Sequence, residues 1–284
     1  MPVLALLVML VASLALAPVD AKGAEVCEAR YGTGRRPLTL ATGSPGELGL
    51  LSALADVFTP REDATLCWIK AGTGEALALL QNAKVDLIMV HAPAAEKKAV
   101  ADGWAAQRTL IGSNEFFIVG PPEDPAKVAG AKDAADAFAR IAKARARIFS
   151  RGDDSGTHRK EMEIWRKAAI PPEGDWYVVT KTFMLATLKR ANDEKGYFMT
   201  DSSTWVAAGR DLPRLKILFR GDPFIVNTYH ALRRPDGRPE SELAGRFIDF
   251  LASPEGQRIV REFGRDRFGE GLYNDAEYAR RFVR

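Results

Sequence analysis

Three short stretches carry the residues best suited to chemistry: "TGSPGE" (42–47), "AGTGEA" (71–76) and "RGDDSGTH" (151–158). Each follows a run of strand character and opens a run of helix character. All are rich in Gly, Ser and Thr. Small residues let backbone N–H groups approach an anion closely, and hydroxyls add donors. A helix start contributes N–H groups without partners and the positive end of the dipole. The third stretch is the most informative. Arg151 brings a permanent charge on a planar fork that fits an oxyanion with two hydrogen bonds. Asp153 or Asp154 is placed to orient it, and Ser155, Gly156 and Thr157 add two hydroxyls and backbone donors. One such turn by itself usually does no more than cap its helix. Three at one sheet edge point to capture of an anion.

Catalytic chemistry is poorly supported. Ser155 and His158 lie three apart at a helix start, but no G-x-S-x-G surrounds the serine. His91, His158 and His230 are scattered without metal-ligand spacing. His91 follows an apolar strand and reads as a hydrogen-bonded structural residue. "AGTGEA" lacks the Lys of a phosphate-binding P-loop and the third Gly of a dinucleotide fingerprint. The expectation is a binding protein, not an enzyme, with no metal site of its own and no cofactor.

Positioning the turns requires strands before them and helices after them. "PLTLAT" (37–42), "TLCWIK" (65–70) and "VDLIMV" (85–90) read as strands, each followed by a helical stretch, the first over 45–58. This βαβαβα order predicts a parallel sheet whose strand-to-helix turns share one edge. A second unit runs through helix 134–146, strand 147–150, helix 157–168, helix 183–193 and strands 196–200 and 215–219. Strands near 114–120 and 219–232 join the units, and two helices, 239–252 and 254–264, close the chain. Two α/β lobes with two crossovers follow, with the cleft between them as ligand site and hinge closure over it. The expected division is 22–115 plus 222–284 for one lobe and 116–221 for the other.

The opening "MPVLALLVMLVASLALA" is almost wholly apolar yet shorter than a membrane-spanning helix needs, and "VDA" suits cleavage after Ala21. Residues 1–21 read as a signal peptide, which places the mature chain in the periplasm. A net charge of +3 over 284 residues gives no argument for nucleic acid. Cys27 and Cys67 form either a disulfide in that oxidising compartment or two buried thiols. Local chemistry makes "SPGE" a capping box, with Ser44 as N-cap, Pro45 at the first helical position and Glu47 reaching back.

Several stretches, in order over most of the mature chain, resemble the tungstate-binding proteins of bacterial uptake transporters. They are the "LAT" opening, "AGTGEALALLQNAKVDLIMVHAPAAEKKAVADG", "NEFFIVGPPEDP", "SRGDDSGTHRKEMEIW", "GYFMTDSSTW" and "ASPEGQRIVREFG". The resemblance implies a type II periplasmic-binding-protein-like α/β fold of two lobes on two hinge strands. It implies capture of an oxyanion, tungstate or molybdate, by a monomer that delivers it to an ABC transporter permease in the inner membrane. It places Arg151, Ser155, Gly156 and Thr157 on the binding loop, Thr73 and Gly74 on the second turn, and Thr42 and Ser44 on the first. The chain departs from that family in the first turn. Where relatives carry a longer hydroxyl-rich stretch, "LATGSPGELGLL" has Gly43 and Pro45, and Pro45 has no N–H. Donors are lost there, so a weaker grip or another anion, a small carboxylate included, stays open. So does a sensor or accessory role without transport.

Overall fold

The computed structural model describes residues 27–283; the expected signal peptide lies outside them. The strands are β1 (Ala29–Tyr31), β2 (Arg36–Thr42), β3 (Ala64–Lys70), β4 (Leu87–Val90), β5 (Ala106–Gly120), β6 (Ile148–Ser150), β7 (Tyr177–Val179), β8 (Tyr197–Asp201), β9 (Lys216–Phe219) and β10 (Val226–Arg233). The helices are α1 (Ser44–Glu47), α2 (Leu50–Arg61), α3 (Thr73–Gln81), α4 (Pro93–Ala101), α5 (Ala134–Lys143), α6 (Gly156–Ala168), α7 (Met184–Asp193), α8 (Ser202–Ala208), α9 (Pro239–Ala252), α10 (Pro254–Glu262), α11 (Arg265–Phe268) and α12 (Ala276–Ala279).

The strands run in the order β1-β3-β2-β4-β10-β5-β8-β6-β7, with β9 also paired to β5. β2 pairs in parallel with both β3 and β4, which lines up the turns after them at one edge. β5 is the long member. Its residues 106–115 pair with β10. Residues 116–120 pair with β8 and β9. One continuous strand therefore belongs to both parts of the sheet.

Each part has its own apolar core. Phe116, Phe138, Trp165 and Phe198 centre one, drawn from residues 116–225. Leu40, Leu54, Leu66 and Phe247 centre the other, on one face of the first strands. Ile88, Val90, Leu80 and Ala99 fill the opposite face, which is why β4 is apolar along its whole length. Phe58 of α2 meets Phe247 of α9 edge to face at 4.9 Å. Burying such a ring stabilises by about 1.5–3 kcal/mol. Cys27 and Cys67 are joined by a disulfide that ties the start of the described chain to β3, with Cα atoms 5.4 Å apart.

The expected single helix over 45–58 is two helices. Gly49 sits in the left-handed region at φ 94°, ending α1 after one turn and letting α2 start afresh at Leu50. The capping box does not form either. Gly43 is the N-cap, Ser44 is the first helical residue, and no side chain caps the helix. Glu47 turns instead to Lys70 of β3, at 2.9 Å. A part-buried ion pair outcompetes a single backbone hydrogen bond that water could also supply.

Candidate functional site

The loop after β6 is folded by its own short-range bonds. Arg151 is 4% exposed, and its Nε and Nη2 donate to Asp153 Oδ2 at 3.0 and 2.6 Å. The other carboxylate oxygen of Asp153 accepts the Ser155 amide at 3.1 Å. Burial pulls the Asp153 carboxyl upward, but the Arg151 charge and the bonds from Ser155 and Arg151 outweigh it, so its pKa is below the ordinary value. Asp154 faces the other way, onto Arg159 at 2.6 Å. Gly152 at φ 59° and Asp154 at φ 57° give the loop its two left-handed corners. A strap along its back holds it: the Thr180 and Lys181 amides donate to the carbonyls of Ser150 and Arg151, each at 2.9 Å.

Helix α6 begins where this loop ends. Ser155 is its N-cap, accepting the His158 amide at 3.3 Å. The amides of Gly156 and Thr157 are therefore at the open end of the helix, where intrahelical acceptors are lacking. Helix α3 opens with Gly72 as N-cap and no side-chain cap. Its Thr73 hydroxyl is buried, 3.5 Å from the His91 amide.

These turns meet. A narrow cavity is lined by Gly43, Ser44 and Pro45 from the first turn, Ala71, Gly72 and Thr73 from the second, and Arg151 and Ser155 from the third. Met89, His91, Phe183 and Tyr229 complete the wall. Glycines allow the approach. A Cβ on Gly72 would stand 3.4 Å from the Ser155 Cβ and 3.9 Å from Arg151 Nη2. One on Gly74 would lie 2.8 Å from the Asp154 carbonyl oxygen, and one on Gly156 would overlap the His91 ring. Gly74 and Gly156 thus make the seam between turns rather than the cavity wall. Ser44 crosses the seam too: its Oγ is 3.4 Å from Asp201 Oδ2.

Thr42 is positioned differently. It is buried, and its hydroxyl donates to the Met89 carbonyl at 2.9 Å, while its own carbonyl accepts the Trp68 indole N–H at 3.0 Å. It braces the end of β2 behind the cavity. Thr157 is also buried, two residues past Ser155 of the wall.

Polar groups around the cavity are strongly held. Asp201 is buried; burial raises its pKa, against the pull of the Thr204 amide and hydroxyl at 2.8 and 2.9 Å. The His91 ring packs against Tyr229 at 4.8 Å between ring centres, tilted by 42°, and its Nδ1 is buried without a hydrogen-bond partner among the described residues. Burial first, then the Arg151 charge, lowers its pKa to about 3, so it is neutral at physiological pH. Hydroxyl and guanidinium donors around a small space suit an anion. Two of the five Arg151 N–H donors go to Asp153, leaving the others for the cavity the side chain lines.

Sequence reasoning missed Phe183, Tyr229 and Asp201, and read His91 as purely structural. In the sequence Phe183 reads as a helix start and Tyr229 as strand interior, neither with a local signal. Asp201 had one: "TDSST" is an acidic N-cap pattern at a strand end.

Residues 28–255 match the family described as PBP superfamily domain. The tungstate-binding protein TupA of Peptoclostridium acidaminophilum is 32% identical over 267 residues, 92% of this chain and 93% of that protein. The solved tungstate ABC transporter structure from Geobacter sulfurreducens is 36% identical, covers 81% of this chain and all of its own, and superposes with a TM-score of 0.73. The tungstate-binding protein TupA of Desulfovibrio alaskensis G20 is 38% identical, with 85% of this chain and 99% of that chain covered and a TM-score of 0.71.

Proposed function

Because this chain belongs to the PBP superfamily and, within it, to the family of tungstate-binding transport proteins, we propose that it captures a tetrahedral oxyanion, tungstate or molybdate, and hands it to an ABC permease. One observation carries this: Ser44, Thr73, Arg151 and Ser155, from three turns far apart in sequence, line a single cavity. Among the described residues, the cationic member of its wall is an arginine, with the open ends of α3 and α6 beside it. Hydroxyls, backbone N–H groups and a guanidinium hold an oxyanion through hydrogen bonds that strengthen as water is excluded.

In this reading Arg151 and Ser155 grip the anion with the amides of Gly156 and Thr157. Thr73, Gly74 and Ser44 close from the facing side, and Thr42 supports them from behind. The lobes are 22–115 plus 222–284 and 116–221, with β5 and the start of β10 as the hinges. The protein works as a periplasmic monomer after loss of residues 1–21.

Calorimetry and thermal shift on the mature protein with tungstate, molybdate, sulfate and phosphate test the proposal. Heat and a raised Tm with tungstate or molybdate are expected. Silence with all four would end it.

A further inference from the structure

We propose that Phe183 and Lys70 form a clasp across the edge of the anion cavity, one that sets how slowly a captured anion leaves. This rests on the oxyanion reading above. The Phe183 ring lines the cavity yet is partly exposed, so it stands between cavity and solvent. Two cations approach it. The Arg151 guanidinium carbon is 5.3 Å from the ring centre, and Lys70 Nζ is 4.6 Å from it. Such contacts are attractive through the ring quadrupole, more so when water is excluded.

The two cations come from opposite parts of the molecule. Arg151 and Phe183 travel together: the strap 180–183 bonds to the Arg151 loop through the Lys181 amide, and Lys181 Nζ donates to the Gly152 carbonyl. Helix α7 pins it as well, where the Thr187 hydroxyl meets those of Thr180 and Thr182 at 2.9 and 3.0 Å. Lys70 ends β3, on the other core, and is held to Glu47 of α1 at 2.9 Å. Separating the halves must break the Lys70 contact while leaving that of Arg151 intact. A phenyl ring offers an anion no hydrogen bond. Its contribution is to keep the cleft closed and water out, which acts on release more than on capture.

Stopped-flow fluorescence with tungstate tests this on Phe183→Leu, Lys70→Met and the double variant. Each single change should raise the dissociation rate about 5–10-fold, with association changed by less than about twofold. The double variant should release little faster than either single one, because both remove the same contact. Dissociation rates near wild type, fully additive effects, or a loss confined to association would overturn the clasp. A second readout needs no anion: distances between spin labels at Asn82→Cys and Glu173→Cys, feasible because both native cysteines are in the disulfide. Ligand-free distances should broaden in the clasp variants. If wild type bound no oxyanion, the functional reading would fail, and these distances would still decide the clasp: broadened would uphold it, unchanged would overturn it.

Discussion

The hydroxyl of Ser44 lies 3.4 Å from Asp201 Oδ2, joining residues 157 positions apart. Ser44 opens the first turn on one core, and Asp201 ends β8 on the other. Asp201 is also held by Thr204 and, at 3.4 Å, by the Asn114 amide, whose main partner is the Ser203 hydroxyl at 2.7 Å. A buried carboxylate needs such donors to be tolerated. Ser44 therefore meets both the cavity and the opposite half, and Thr42, two residues earlier, meets neither.

That contrast gives a first prediction. Ser44→Ala should weaken tungstate binding by about 1 kcal/mol, roughly fivefold by calorimetry, with Tm nearly unchanged. Thr42→Val should do the reverse, lowering stability by about 1–3 kcal/mol through the unmet Met89 carbonyl with little direct effect on affinity. Equal effects of the two on affinity would contradict the placement.

Arg151→Lys keeps the charge and loses the fork. It should still weaken tungstate binding tenfold or more, since each charge-assisted bond contributes about 1.5–3 kcal/mol. Arg151→Ala should abolish measurable binding. Far-UV circular dichroism of both should match wild type, since the loop keeps its backbone bonds to Thr180 and Lys181. An Arg151→Ala protein that still binds tightly would remove this residue from the site.

Gly156→Ala places a methyl group on the His91 ring. The cost of about 1–3 kcal/mol for overpacking falls on the closed arrangement, where α6 meets the His91 turn. Affinity should drop about 5- to 100-fold with a small change in Tm. An unaffected titration curve would mean the turns bind without closing on each other.

Glu161 is buried between Ser150, Tyr177 and Trp165, at 2.7, 2.8 and 3.2 Å. Burial raises its pKa from 4.5 to about 7, against the pull of those three donors. A raised carboxyl pKa means the folded state holds the proton longer than the unfolded chain. Its contribution is complete below pH 4.5, falls as pH rises and is gone above about 7. The amount is on the order of 3 kcal/mol. His91 slopes the other way, since its pKa is lowered from 6.5 to about 3 and its share is lost as pH falls through that range. Chemical denaturation between pH 5 and 8 should therefore show a flatter loss toward alkaline pH in Glu161→Gln. A variant profile parallel to wild type would exclude Glu161 as the source.

The Cys27–Cys67 bridge closes a separation of 40 residues. Removing it with Cys27→Ala and Cys67→Ala should lower stability by about 3–4 kcal/mol on a chain-entropy account, read as a lower urea midpoint. Tungstate affinity should hold, because the bridge lies away from the three turns. No change in the midpoint would count against that account.

The three turns were legible because their signal is local: small residues, hydroxyls and a helix start directly after a strand. Parallel β2, β3 and β4 then place two of them at one edge without further information. The first turn differs from its sequence pattern for the converse reason. Glu47 has the spacing of a capping residue, and only the fold puts Lys70 beside it. Gly49 reads as one more small residue in a helical run until its left-handed backbone is seen. Phe183 and Tyr229 carry no mark in sequence, because a cavity wall formed by remote segments has no spacing to detect.

β5 and the segment leading into β10 carry the chain into the second core and out again, so that core is fastened at both ends. A body tethered twice has surrendered most of its freedom to translate before any ligand arrives. What remains is a turn about the line joining its tethers. If the lobes close on a small ion as proposed, the entropy cost falls largely on one rotation, and a handful of hydrogen bonds suffices to hold the molecule shut.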